Sequence, residues 1–119
     1  MSNSKKYSWH KIALSQQELQ FNNEGLLQLN AADKSICLIQ KNNRLTACAA
    51  KCPHAGGTLA AGFTDAAENI VCPLHRYRFS IHNGRNTSGE GYFLKTYPVE
   101  IRDDGIFIRL EEKGSLFSW

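Results

Sequence analysis

Two short segments, Cys52-Pro53-His54 and Cys72-Pro73-Leu74-His75, constrain this chain more than anything else in it. Each offers a thiolate and then an imidazole, and 17 residues separate His54 from Cys72. Four such donors can hold one metal centre. The spacing sets each pair on its own loop, with the centre gripped between the two. Zinc ribbons commonly use C-x2-C pairs. Here a histidine replaces the second cysteine of each pair, and the first pair is compressed to C-x-H.

The remaining sequence alternates apolar and polar residues with turn residues at short intervals. Residues 7–13 read as a first strand. Ser15-Gln16-Gln17-Glu18 has the form of a capping box, with Leu14 and Leu19 at the staple positions, and predicts a short helical turn. Residues 26–30 and 35–40 read as strands around an Ala-Ala-Asp-Lys turn, and Asn42-Asn43 reverses the chain into 44–50. Residues 69–71 lead into the second ligand loop and 77–81 lead out of it. Strands at 96–102 and 106–110, joined by Asp103-Asp104-Gly105, close the domain. Eight or nine short strands without a long helix predict an all-β antiparallel sandwich or barrel, one domain over residues 1–119, with ligand loops at about 50–58 and 70–80.

Composition fits that class. A chain of 119 residues buries about two thirds of its unfolded surface around one core. No run approaches the roughly 18 apolar residues of a membrane span, and Met-Ser-Asn-Ser-Lys-Lys lacks the apolar stretch of a signal peptide. The expectation is a cytoplasmic protein with reduced thiols. A two-residue turn at Asn42-Asn43 puts Cys37 opposite Cys48. We read both as small buried hydrophobes, in preference to a disulfide or to Cys48 as a metal ligand.

The ligand pattern resembles the Rieske family, in which one iron of a [2Fe-2S] cluster takes two cysteines and the other two histidines. Gly56-Gly57, Phe79, the turn His82-Asn83-Gly84-Arg85 and the closing Leu94-Lys95-Thr96-Tyr97-Pro98-Val99 extend the resemblance over most of the chain. It implies one cluster per chain, held by Cys52, Cys72, His54 and His75. Two imidazoles in place of two thiolates remove two negative charges, which places such centres at roughly −150 to +300 mV.

The resemblance also gives roles to the residues around the ligands. High-potential relatives carry an extra cysteine in each loop; Gly57 and Leu74 stand there instead, so no disulfide locks these loops. Tyr77 takes the place of a serine whose hydroxyl eases reduction, which implies the low end of the band. Gly56 and Gly57 let backbone approach the inorganic sulfides. Arg76 replaces a common glycine; it either favours the reduced state by its charge or, with Arg78, lines a solvated strand edge. The third loop, Thr87-Ser88-Gly89-Glu90-Gly91-Tyr92, has two glycines and no proline, which predicts a flexible cover. Tyr92 and Phe93 read either as core or as lid.

The implied function is one-electron transfer, with no substrate transformed by this chain. His10 and His82 are the remaining histidines, and we read neither as catalytic. The implied partners are a flavin-containing reductase and an acceptor such as a terminal oxygenase, with neither nucleic acid nor membrane involved and the carrier a monomer. A net charge of +3, with Arg76, Arg78 and Arg85 around the second loop, points to an acidic docking face on the partner. Three alternatives belong to other classes: the small subunit of an NAD(P)H nitrite reductase, a structural zinc module, and a redox sensor or assembly factor, for which the sequence offers no effector domain.

Overall fold

The computed structural model describes residues 6–54 and 56–112. The segment 113–119, expected from sequence to pack back on the sheet, lies outside the described residues. Ten strands follow in order: β1 (Tyr7–Ala13), β2 (Leu26–Ala31), β3 (Lys34–Lys41), β4 (Arg44–Ala49), β5 (Phe63–Thr64), β6 (Asn69–Val71), β7 (Arg78–Ser80), β8 (Thr96–Tyr97), β9 (Val99–Arg102) and β10 (Gly105–Glu111). They form three antiparallel sheets, in the orders β1-β10-β9, β2-β3-β4-β8 and β5-β6-β7.

Residues with positive φ make the two tightest reversals of the central sheet. Ala32 and Asp33 (φ 48° and 69°) join β2 to β3, and Asn42 and Asn43 (53° and 64°) join β3 to β4. Two consecutive left-handed residues give the turn whose twist suits a tight hairpin. That turn fixes the register, and Cys37 stands opposite Cys48 as the sequence predicts.

β3 explains how the layers stack. Its Ile36, Cys37, Leu38 and Ile39 are all buried, because successive side chains point to opposite faces and both faces are covered. Ile36 and Leu38 pack with Ala47, Ile108 and Leu110 toward the β1-β10-β9 sheet. Cys37 and Ile39 join Cys48, Leu59, Ile70, Phe79, Ile81 and Leu94 on the other face, in the same cluster as Cys52 and Cys72. The ligand loops are thereby anchored in the larger of the two cores. The Cys48 thiol, hydrogen-bonded to Cys37 and buried, is held well above its usual pKa, as suits a packing residue.

Three local expectations change. The stretch 96–102 is split, because Pro98 has no N–H to give to a ladder. The capping box does not close on Ser15: Glu18 of the short 3-10 turn Gln16–Glu18 accepts from the Leu14 amide at 2.8 Å. Nor does the staple form. Leu14 is exposed while Leu19 packs on the core. β5, only two residues long, gave no sequence signal of its own; its pairing with β6 supplies it.

Gly84 shows how closely the third loop returns. Its φ is +78°, and a Cβ added there would stand 1.8 Å from the Leu94 carbonyl oxygen. The Leu94 amide donates to the Gly84 carbonyl at 2.9 Å, so this contact is also a hydrogen-bonded one. Gly84→Ala is expected to cost about 3 kcal/mol, from left-handed strain and overpacking together, measured as a lower urea midpoint at unchanged slope.

Candidate metal centre

The two ligand loops are copies of one backbone structure. Lys51 bridges Thr58, and seven positions apart in the same way Val71 pairs with Arg78. Inside these closures the Cys52 amide donates to the Gly57 carbonyl at 2.8 Å, and the Cys72 amide to the Tyr77 carbonyl at 2.9 Å. The Cys52 carbonyl accepts from the Gly56 amide at 2.9 Å, and the Cys72 carbonyl from the Arg76 amide at 3.0 Å. Proline follows each cysteine and holds φ there. What differs is where the imidazole leaves: two residues after the first cysteine and three after the second. The spacing difference in the sequence is thus a side-chain difference on a shared backbone.

These loops bring the two predicted histidines together and set the two predicted cysteines in one buried cluster. Cys52 and Cys72 are buried, at 2% and 1% exposure. His54 is half-buried and His75 exposed. The Nδ1 atoms of the two rings face each other at 3.4 Å. Two nitrogens bound to one tetrahedral ion at about 2.0–2.1 Å stand roughly 3.4 Å apart, so the imidazole pair has the separation one metal needs. Among the described residues no three His, Cys, Asp or Glu side chains gather as ligands for one ion. The two imidazoles are paired, and Cys52 and Cys72 lie in one buried cluster.

The glycines after His54 have separate causes. A Cβ on Gly57 would meet Cys72 Sγ and the Leu74 side chain, all at 3.0 Å, so Gly57 keeps room between the loops. Gly56 has open space around it but a φ of +71°, so it serves the turn. Arg76 occupies the matching position of the second loop with a φ of +60°. A non-glycine residue pays about 1–2 kcal/mol for that conformation. Arg76→Gly is therefore expected to stabilise the loop by about 1 kcal/mol, while removing a cation beside the site and so shifting its reduction potential downward. Thermal unfolding and redox titration read the two effects separately.

Arg78 is not the free surface cation that the sequence suggested. Its Nη1 donates to the Asp65 carboxylate at 2.5 Å. Asp65 also accepts the amides of Ala67 and Asn69, each at 3.0 Å, and the Asn69 side chain at 3.1 Å. Burial opposes the charged form of this carboxylate, but the Asn69 and Arg78 bonds outweigh it and hold its pKa below the usual range. A depressed folded-state pKa stabilises the protein above the unfolded value and is lost as the pH falls through the folded one. Asp65→Asn is expected to lower the denaturation midpoint at pH 7, with the gap to the parent protein beginning to narrow near about pH 3.9, the unfolded carboxylate value, and closing only once the pH falls below the depressed folded-state pKa. His82 is exposed, as expected, but paired: its Nε2 meets the Glu68 carboxylate at 2.5 Å.

The third loop is tied down, contrary to the flexible cover predicted. Asn86 carries it. Its Oδ1 accepts the Glu90 and Gly91 amides at 2.5 and 2.7 Å, and its Nδ2 donates to the Arg78 carbonyl at 3.0 Å and to Glu90 at 2.9 Å. The Arg78 amide in turn donates to Ser88 Oγ at 2.9 Å. The loop thus hangs on β7, and it delivers Tyr92 to within 5.2 Å of the His54 ring, centroid to centroid. Tyr92 and Phe93 are 41% and 62% exposed, which removes the reading that put them in the core. Asn86 went unremarked in the sequence, where a lone Asn before Thr-Ser-Gly carries the common signal of an ordinary turn.

Each of the two matching loops thus presents a buried cysteine and a more exposed histidine. The Rieske [2Fe-2S] domain family matches residues 8–98, and the chain belongs to that family. It is similar to the ferredoxin component of the naphthalene 1,2-dioxygenase system of Pseudomonas aeruginosa, 30% identical over 86 residues, which are 71% of this chain and 82% of the relative. The 3-phenylpropionate/cinnamic acid dioxygenase ferredoxin subunit of Photorhabdus laumondii is 28% identical over 66% of this chain and 75% of its own. In fold, the chain matches the ferredoxin of carbazole 1,9a-dioxygenase from Nocardioides aromaticivorans with a TM-score of 0.72 at 19% identity, covering 85% of this chain and 96% of that one. A chain from Mycobacterium tuberculosis proposed as an NADH-dependent nitrite reductase small subunit matches with a TM-score of 0.71 at 13% identity, over 91% and 97% of the two chains. The fold is therefore shared by both candidate functions.

Proposed function

We propose that this protein is a one-electron carrier of the ferredoxin type, holding one [2Fe-2S] cluster per chain on Cys52, Cys72, His54 and His75. The observation that carries this reading is the arrangement of the donors, two buried cysteines beside two imidazoles whose Nδ1 atoms are 3.4 Å apart. Bound there, the cluster would supply a reversible one-electron couple. Neutral imidazoles stabilise ferric iron less than thiolates, so the reduced state is favoured on the histidine side. The chain's own work is to hold the cysteines dry and to present the histidine edge at the surface. The ferredoxin components among the relatives support this reading over a nitrite reductase subunit, for which the fold alone speaks.

In this proposal the chain works as one domain and as a monomer in the cytoplasm, between a flavin-containing reductase and an oxygenase or similar acceptor. The relatives named as components of dioxygenase systems support the acceptor, as does the fold match, with a TM-score of 0.73, to the ferredoxin in a carbazole 1,9a-dioxygenase oxygenase–ferredoxin complex. Among the described residues no helix is long and apolar enough to cross a membrane. With Arg78 paired to Asp65, the cations left to meet an acidic partner beside the second loop are Arg76 and Arg85.

Anaerobically purified protein is expected to contain iron and labile sulfide in equal amounts and to show the reduced-state electron paramagnetic resonance of a mixed-ligand centre. Its midpoint should lie in the lower part of the roughly −150 to +300 mV band. Cys72→Ser and His75→Ala should each abolish the signal. Stoichiometric zinc without labile sulfide would overturn the reading in favour of a structural zinc module.

A further inference from the structure

The two imidazoles differ in what covers them. The Tyr77 ring lies on His54 with centroids 4.2 Å apart and planes 22° from parallel. Tyr92 closes over the same ring from the third loop, 5.2 Å from His54 and 5.8 Å from Tyr77. The Tyr77 hydroxyl is 3.5 Å from His54 Nε2. Because the rings are stacked, that oxygen sits over the imidazole and out of line with the Nε2 bond direction, so it covers the outer nitrogen more than it bonds to it. His75 has no such cover. It is exposed, meets His54 edge-on, and its centroid is 6.2 Å from that of Tyr77.

Resting on the electron-carrier reading above, we propose that Tyr77 and Tyr92 form a fixed aromatic screen over His54, so that a docked partner exchanges electrons through His75 alone. One electron leaves the carrier and one enters the partner's acceptor; no bond is made or broken and no proton is required. Contact at His75 puts the partner directly on a ligand, whereas an approach at His54 must cross a tyrosine. The screen is built to persist. Tyr77 is set by the hairpin closure, its carbonyl accepting from the Cys72 amide, and Tyr92 follows directly on Gly91, whose amide Asn86 holds. Tyr77 and Tyr92 are thus positioning residues that select which face of the tip a partner uses.

Diethyl pyrocarbonate, which acylates accessible imidazole nitrogen, tests this on the oxidised holoprotein, with the modified residues mapped by mass spectrometry. His75 is expected to react about tenfold faster than His54, the factor that the stacking free energy of one aromatic pair supports. Tyr92→Ala and Tyr77→Gly should each raise the His54 rate without changing that of His75, while Tyr92→Phe, which keeps the ring, should protect as the parent does. In stopped flow, acylation at His75 should slow oxidation of the reduced parent by ferricyanide, and slow it less in the Tyr77→Gly/Tyr92→Ala protein, where a second route is open. Equal reaction of both histidines in parent protein that keeps its cluster absorption overturns the screen alone. So does a His54 rate that is unchanged in both ring-deleting variants. Protein that never shows cluster absorption overturns the electron-carrier reading as well.

Discussion

Everything at the tip depends on one repeated backbone latch: a cysteine whose amide and carbonyl are both engaged by its own loop. The amide donates across the loop and the carbonyl accepts from the residue four positions on. The backbone around each cysteine is thereby fixed by its own loop. Both cysteines belong to the same buried cluster as Leu59, Ile70, Phe79 and Leu94. The latch also demands a left-handed residue at its fourth following position, met by Gly56 in one loop and by Arg76, at a cost, in the other.

Polar side chains set the loops relative to one another. Asp65, Asn69 and Arg78 brace the base of the second loop, and Asn86 hangs the third loop on the carbonyl of Arg78. Glu68 reaches both His82 and the turn residue Asn42, tying the ligand sheet to the central hairpin. A cluster site gains from such bracing, because electron transfer is fastest when the surroundings need little rearrangement. A third loop without proline achieves by side-chain hydrogen bonds what a rigid ring would otherwise provide.

Much of this was legible in the sequence where the signal was local. The Asn42-Asn43 reversal, the Cys37–Cys48 register and the bounds of β1 and β6 follow from residue spacing and turn chemistry alone. The readings that failed involved partners far apart in the chain. The charge of Arg78 is spoken for by Asp65, thirteen positions earlier; the third loop is ordered by Asn86 acting on β7; and Leu14 lacks its staple because Leu19 found a better surface on the core. Composition predicts loop stiffness only where the loop bonds to nothing else.

The sequence by itself determined the chemistry on offer, because Cys-x-His and Cys-x2-His supply two thiols and two imidazoles however the chain folds, and its period-two pattern determined that strands would carry the loops that hold them. Tertiary structure alone decided their inequality. Tyr77 and Tyr92 converge on His54 from different loops and leave His75 open, and no spacing encodes that. Contacts between side chains fifteen residues apart along the chain exist only once three loops have been packed against one core.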